Sequence, residues 1–273
     1  MLEVDHMDEN QEKKTEKVKK KKSAKKIIVN LFMYILLIVC FIALGYSGTV
    51  LTNWLITNQK SNEKINEVSN SVKVEPNTQL ENMGATFGID FDKLEQINSD
   101  VVGWINIKGT SIDYSILQAG DNDYYLRRSI DGNYSWFGWP FMDYRNSGEF
   151  TDRNTILYGH NITSGLMFAD LENIVNGSYG NDIDVYIYTK DKTRVYKVFS
   201  TYIVDPEDYY LTTVFYDDED FGEFVNALKN RSLIDFNVPV FGQDKIITLS
   251  TCTSDSLRRI VLHAKLYSVE EAV

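Results

Sequence analysis

Polar and apolar residues alternate along much of the chain after residue 100, with a period close to two. This alternation is typical of β-strands that bury one face. Clusters of Gly, Asn and Asp separate the segments that show it, which are 101–107, 111–118, 154–160, 183–189, 194–204, 245–251 and 259–266. Short strands at this spacing favour a barrel or a sandwich over a sheet of alternating strands and helices. The sequence therefore predicts a mainly β fold.

Two segments of this region have the helical period instead. The first, "FDKLEQI" (91–97), places its apolar residues three apart, just before the first predicted strand. The second, "DDEDFGEFVNALKNRS" (217–232), has one apolar face, an acidic start and a basic end, which suits the helix dipole. We predict one helix in front of the β-domain and one in the long insertion before the penultimate strand.

A third pattern occupies residues 27–46, "IIVNLFMYILLIVCFIALGY", which contain no charged side chain. Twenty helical residues at about 1.5 Å each span roughly 30 Å, the thickness of a bilayer core. A segment that is apolar on every face does not suit a soluble helix. We predict a retained transmembrane anchor. The alternative is a cleaved signal peptide, for which "ALG" at 43–45 offers small residues.

The charge distribution gives the anchor a direction. Residues 1–26 contain nine lysines and six acidic residues, and neither Lys nor Arg occurs between Lys26 and Lys60. Because positive charge stays on the cytoplasmic side, the N-terminus is predicted to be cytoplasmic and the rest extracellular. The whole chain carries −11. An acidic domain argues against nucleic acid as a partner.

These patterns predict four parts. Residues 1–26 form a basic cytoplasmic tail, and residues 27–46 form the anchor. A polar, partly helical stalk covers 47–81, with Pro76 breaking any helix. One domain covers 82–273, which is a usual domain size.

The candidate chemistry centres on Cys252, which ends a predicted strand. Cys40 lies in the predicted anchor, so Cys252 has no partner outside the membrane. Because an oxidising compartment usually pairs its cysteines, a lone thiol there indicates a reactive group. The alternative is a small buried apolar residue. A reactive thiol needs a base or a positive charge to become a thiolate.

For these tasks the sequence offers His160, with His263 as the alternative histidine, and Arg259. His160 follows a predicted strand where it meets a loop, a common place for functional groups, whereas His263 lies inside the last strand. Arg259 follows Cys252 after the turn "TSDSL" and can return beside the sulfur on an adjacent strand. Its permanent charge suits an oxyanion, while Arg258 is predicted to face the other way.

These residues resemble a known family. "TLSTC", an arginine at the start of the final strand and the earlier "LYGH" are similar to the sortases, the cysteine transpeptidases that attach surface proteins to Gram-positive cell walls. The resemblance covers roughly 82–266 and is most specific at Cys252, His160 and Arg259, where the family keeps its nucleophile, histidine and arginine. "INSDVVGWINIKGTSIDYSILQAGDNDYYLRR" and "FMDYRN" are similar to class B sortases. That class implies an eight-stranded barrel with N-terminal helices and a helix between the sixth and seventh strands.

The resemblance also implies a mechanism. Cys252 attacks the peptide bond after Thr in the sorting motif of a surface protein, His160 protonates the departing amine, and Arg259 steadies the oxyanion. An amino group of peptidoglycan, of a lipid-linked precursor or of another protein then releases the thioester. No cofactor or calcium is expected. The residues implied in substrate binding are Asn122, Leu126, Tyr158, Ser250, Thr251, Tyr210 and Leu211.

The chain departs from the family pattern in two ways. Ser115 stands where the class usually has proline, and the segment between Cys252 and Arg259 is shorter than in some relatives. Because Thr253 and Ser254 follow the cysteine, Asp255 is left as a candidate third catalytic member.

Three other classes of protein remain as alternatives. A papain-like wall peptidase has its cysteine at a helix start and ahead of its histidine, the reverse of the order here. A copper site usually has His or Met within a few residues of the cysteine. A non-catalytic surface-binding module has no need of a lone thiol.

Overall fold

The structure is a computed structural model that describes residues 4–207 and 209–271. Residues 1–3 of the predicted tail, and residues 208, 272 and 273 of the predicted domain, lie outside the described residues. The chain divides into two compact units, Met1–Asn58 and Gln59–Val273. All the predicted strands belong to the second unit.

One long helix, α1 (Val4–Val72), includes the whole predicted anchor. The side chains of residues 27–46 are all exposed. Within the described residues, one helical segment, Lys13–Val72, is long and apolar enough to cross a membrane, and its most apolar 18-residue window has a mean hydropathy of 3.0. The helix ends before Pro76, as the sequence predicts.

The second unit begins earlier than the predicted domain boundary at residue 82. Val68 and Val72, near the end of α1, are buried and belong to the main apolar cluster of this unit. The next elements of the chain are β1 (Lys73–Val74), α2 (Thr78–Asn82), β2 (Gly88–Ile89) and α3 (Phe91–Ile97). β1 pairs with β2, and Asp90 caps α3 by accepting a hydrogen bond of 3.1 Å from the Lys93 amide. The predicted helix at 91–97 is confirmed.

Eight strands then form a closed barrel in the order β10-β8-β7-β3-β4-β5-β6-β9. The strands are β3 (Val101–Ile107), β4 (Asp113–Leu117), β5 (Phe141–Met142), β6 (Asn154–Tyr158), β7 (Asp184–Tyr188), β8 (Lys192–Val204), β9 (Ile246–Cys252) and β10 (Arg259–Glu271). The predicted barrel and all seven predicted strands are confirmed. β5 was not predicted, because two residues are too few to show a period.

Several of the strands bury both of their faces. On β10, Ile260 and Leu262 pack into the barrel interior, whereas Val261 packs into a second cluster on the other side. The second cluster is completed by α5 (Asp218–Asn230), which lies between β8 and β9 in the chain and buries Phe221 and Leu228. The helix predicted in this insertion is therefore confirmed.

Candidate active site

The candidate site forms where two parallel strands end together. β6 and β9 pair in parallel, and the last of their paired positions is Tyr158 with Ser250. The Gly159 amide then donates a hydrogen bond of 3.3 Å to the Ser250 carbonyl. His160 and Cys252 each lie two residues beyond that pair. Cys252, the last residue of β9, shares a face with Ser250 because side chains alternate along a strand. His160, just beyond β6, lines the same cleft as these two residues.

Arg259 reaches the same place from the other side of Cys252. The two residues are directly opposite each other in the antiparallel pairing of β9 with β10. Directly opposed side chains share a face, with Cβ atoms about 5 Å apart. The structure thus places Arg259 on the adjacent strand beside the cysteine, as the sequence predicts. Arg258 is exposed, and its carbonyl accepts a hydrogen bond of 2.9 Å from the Thr253 amide in the intervening turn.

All ten residues selected from the sequence line one cleft of about 300 Å³. Two further lining residues, Phe141 and Gly159, were missed. Clefts of about 410 and 370 Å³ also open on this unit, but neither is lined by a cysteine or a histidine. The full lining of the candidate site is Asn122, Leu126, Phe141, Tyr158, Gly159, His160, Tyr210, Leu211, Ser250, Thr251, Cys252 and Arg259.

His160 is half-buried and held by one hydrogen bond. Its Nε2 lies 2.9 Å from the Leu126 carbonyl oxygen, which can only accept, so Nε2 carries the proton and Nδ1 is the free ring nitrogen of the neutral imidazole. Burial lowers the pKa of His160, the bond to Leu126 opposes that change, and the positive charge of Arg127 adds to it. The imidazole is therefore neutral at pH 7.

Gly159 is required by the packing beneath His160. A Cβ atom at this position would lie 2.6 Å from Cγ of Phe168, which is closer than real contacts allow. The Phe168 amide in turn donates a hydrogen bond of 2.9 Å to the His160 carbonyl. The glycine of "LYGH" thus lets an aromatic ring fix the backbone that carries the histidine.

A fully buried carboxylate, Asp143, binds two residues of the cleft lining. Its Oδ2 accepts hydrogen bonds from Nδ2 of Asn122 at 3.0 Å and from the hydroxyl of Tyr158 at 2.8 Å. Arg145 binds both carboxylate oxygens at 2.8 Å and donates a further hydrogen bond of 3.1 Å to the Leu211 carbonyl. Burial alone would raise the pKa of Asp143, but the bonds from Arg145 and its neighbours lower it. No local pattern indicates this role, because most of the bonded residues are far apart in the chain.

Ser250 and Tyr210, which also line the cleft, are in contact with each other. The Tyr210 hydroxyl lies 3.2 Å from Oγ of Ser250, so the short 3₁₀ helix Tyr209–Leu211 is tied to β9 just before the cysteine. Tyr210 belongs to the second apolar cluster, and this fixes its ring from behind.

Two other candidates from the sequence lie elsewhere. His263 is fully buried, with Nδ1 2.9 Å from Oγ1 of Thr248 and Nε2 3.1 Å from the hydroxyl of Tyr202, and it does not line the cleft. Asp255 is exposed, and its carboxylate accepts hydrogen bonds from Thr253 and from the Leu257 amide within its own turn.

Comparison with known proteins identifies the family. The sortase domain model matches residues 105–267. Sortase B of Listeria monocytogenes is 40% identical over 177 residues, which are 63% of this chain and 72% of the relative. Sortase B from Bacillus anthracis, solved in complex with AAEK1, superposes with a TM-score of 0.68 at 33% identity, over 78% of this chain and 99% of the other. A sortase B–substrate complex from Staphylococcus aureus superposes with a TM-score of 0.61 at 36% identity, over 65% and 84%.

A closed eight-stranded barrel of this order is the fold of a cysteine transpeptidase of the sortase type. The chain belongs to the sortase family, and its relatives place it in class B.

Proposed function

We propose that this chain is a membrane-anchored sortase that cleaves surface proteins after the Thr of a C-terminal sorting motif and transfers them to a cell-wall amino group. The proposal rests on one observation above all: Cys252, its cross-strand partner Arg259 and His160 line the same cleft. Cys252 is the nucleophile, His160 the acid and base, and Arg259 the electrostatic stabiliser.

The first half of the reaction forms a thioester. Neutral His160 takes the thiol proton at Nδ1, and Sγ of Cys252 attacks the carbonyl carbon of Thr in the Thr–Gly or Thr–Asn bond. The tetrahedral intermediate collapses, the C–N bond breaks, and His160 gives its proton to the leaving amine. This is general acid–base assistance of a covalent mechanism. A neutral imidazole at pH 7, as burial produces, is the form that this sequence of steps requires.

The second half reverses the proton transfers. An incoming amine attacks the thioester carbonyl, His160 accepts its proton, and Sγ departs and is protonated again. The product is a new amide bond to the acceptor. With water in place of the amine the outcome is hydrolysis.

Arg259 is the charge next to the reacting carbonyl. Its side chain shares a face with Cys252, and Nη1 donates a hydrogen bond of 3.3 Å to the Arg258 carbonyl. The other guanidinium donors serve the oxyanion that both halves of the reaction create. The sorting peptide lies along the lining residues Asn122, Leu126, Tyr158, Ser250, Thr251, Tyr210 and Leu211. Asp143 holds two of them, Asn122 and Tyr158, from behind.

The partners follow from the reaction. The donor is a surface protein with a sorting motif, and the acceptor is an amino group of peptidoglycan or of its lipid-linked precursor. One solved sortase B is complexed with triglycine, which makes that peptide a suitable acceptor probe. Residues 27–46 hold the enzyme in the cell membrane as a single span, with the N-terminus cytoplasmic and the catalytic unit outside.

The test uses the full chain in detergent with a library of quenched fluorescent pentapeptides and triglycine. We expect one motif to be cleaved after Thr and joined to triglycine, and a covalent adduct of the acyl mass to appear on Cys252. Cys252→Ala should show neither product nor adduct, while the matched control Cys40→Ala should behave like the natural chain. Turnover by Cys252→Ala would overturn the proposal, and cleavage that never yields a triglycine product would indicate a peptidase instead.

A further inference from the structure

The polypeptide segments that carry His160 and Cys252 are no longer paired through their backbones beyond Gly159. They are joined instead by one side chain. Nδ2 of Asn161 donates hydrogen bonds to the Cys252 carbonyl at 3.1 Å and to Oε2 of Glu172 at 2.8 Å.

Glu172 extends this link to the far side of the cysteine. It lies on the short helix α4 (Asp170–Val175), and its Oε1 accepts a hydrogen bond of 3.1 Å from Oγ of Ser254. One carboxylate therefore connects the residue after His160 to the residue two positions after Cys252. The backbone of Asn161 is itself fixed, because it forms a bridge with Met167.

We propose that Asn161 and Glu172 are positioning residues, which keep His160 and Cys252 in register after the β6–β9 pairing ends. The inference rests on the proposed roles of those two residues. Proton transfer and attack need both groups placed to within a fraction of an ångström, and a displacement of about 1 Å costs on the order of 10²-fold in rate. Neither residue lines the cleft, so each acts through the backbone that carries the reacting groups.

Asn161→Asp tests the link with almost no change of shape. The substitution removes both N–H donors and puts a carboxylate beside Glu172. We expect kcat to fall by about 10- to 100-fold. KM for the peptide should stay within about twofold, because the residues that bind the peptide are untouched. A residue that served only the stability of the fold would lower the melting temperature and leave kcat of the folded enzyme unchanged.

Glu172 supplies a second and milder test, with rescue by a conservative variant. In Glu172→Gln, the amide oxygen still accepts from Asn161, and the amide nitrogen can donate to Oγ of Ser254, so both contacts survive. We expect kcat within about threefold of the natural enzyme for Glu172→Gln and a fall of about tenfold for Glu172→Ala. If Gln were as damaging as Ala, the carboxylate would act by its charge and the positioning role would be wrong.

The matched control is Asn173→Ala on the same helix. Asn173 is exposed and donates to Oδ1 of Asp170 at 2.8 Å, within α4. It should have the kcat of the natural enzyme. In the double variant Asn161→Asp/Glu172→Ala the loss should be smaller than the product of the two single losses, because both substitutions break one chain of contacts.

All variants are measured as the full chain, by steady-state cleavage of one quenched peptide, alongside their melting temperatures. An inactive Cys252→Ala with an unimpaired Asn161→Asp would overturn this inference and leave the proposed function standing. An active Cys252→Ala would overturn the proposed function itself. If Asn161→Asp does not fold, the comparison of Glu172→Ala with Glu172→Gln decides, and equal kcat for Glu172→Ala and the natural enzyme counts against the positioning role.

Discussion

Arg258 and Arg259 are adjacent in the chain but face different surroundings. Arg259 lies opposite Cys252 and lines the cleft, whereas Arg258 is exposed in the turn. Lysine keeps the positive charge but loses the planar fork of donors. We expect Arg259→Lys to lower kcat by ~10²–10³, the usual loss when one oxyanion donor is removed. The measurement is steady-state cleavage of a quenched sorting peptide.

Arg258→Lys is the internal control for that prediction and should be close to the natural enzyme in both rate and melting temperature. Equal and small changes of kcat from both substitutions would show that neither guanidinium stabilises the transition state. The pairing of Arg259 with Cys252 would then have no role in catalysis.

Full burial changes the pKa of a second histidine, His263. Burial lowers its pKa from 6.5 to about 3, with a further contribution from the charge of Arg231. Below pH 6.5 His263 is protonated in the unfolded chain, whereas in the folded chain it stays neutral down to about pH 3. The free energy of unfolding therefore decreases as the pH falls from 6.5 to 3. Between pH 7 and pH 5 this loss amounts to about 2 kcal/mol.

His263→Gln removes that contribution and keeps a side chain able to bind Thr248 and Tyr202. We expect its free energy of unfolding in urea to fall about 2 kcal/mol less than that of the natural chain between pH 7 and pH 5. The carboxylates and His160 are common to both chains and cancel in the comparison. Parallel pH dependence of the two chains would mean that folded His263 takes up its proton over the same pH range as in the unfolded chain, so that burial does not lower its pKa.

At the scale of elements, the two-residue strand β5 positions a residue that supports the cleft. It leads directly into Asp143 and places that residue under the cleft, where the carboxylate binds Asn122, Tyr158 and Arg145. In Asp143→Asn an amide nitrogen replaces one carboxylate oxygen. Because this nitrogen is a donor, it cannot accept a hydrogen bond from Arg145. We expect the free energy of unfolding to fall by about 1.5–3 kcal/mol, the range for hydrogen bonds to charged groups. KM for the peptide should rise more than kcat falls, because two lining residues lose their support.

Asp235→Asn is the control for this substitution. Asp235 is exposed and accepts a hydrogen bond of 2.9 Å from the Asn237 amide, away from the cleft. It should change stability by no more than about 0.5 kcal/mol. A cleft that kept its KM in Asp143→Asn would mean that the lining residues hold their positions unaided.

The end of α1 gives a prediction about where the folded domain begins. Val68 and Val72 are 3% and 0% exposed, and Lys73 forms an ion pair with Asp113 of β4. A fragment that starts at Gln59 keeps these contacts, whereas one that starts at Asn82 loses them. We expect the shorter fragment to be less stable by at least about 3 kcal/mol, since each buried valine contributes roughly 1.5 kcal/mol or more. Equal denaturation midpoints would support the domain boundary at residue 82 that the sequence predicts.

At the scale of the whole molecule, the basic tail and the exposed apolar segment are the basis of the proposed membrane anchor. Residues 27–46 expose apolar side chains all round the helix, as a membrane-spanning helix does. We expect protease added to intact protoplasts to remove the catalytic unit and spare an N-terminal stub, detected with antibodies against each end. Mature protein that starts near residue 46 and is free in the medium would support the cleaved signal peptide instead.

Local patterns were enough to predict the elements that have a period of their own. The seven longer strands, the helices at 91–97 and in the long insertion, and the apolar segment each repeat a pattern over several residues. The resemblance to the sortases also led to the residues that line the cleft, because short motifs such as "LYGH" and "TLSTC" are contiguous in the chain.

Only the tertiary structure decided how those pieces meet. The parallel pairing of β6 with β9 joins positions about ninety residues apart. The periodicity within each segment does not indicate which strand is its partner. For the same reason the sequence does not indicate the roles of Asp143, Asn161 and Glu172, since a buried carboxylate or amide differs from an exposed one only by its surroundings. The elements arise from interactions within a few residues, whereas the site depends on contacts between residues that folding alone brings together.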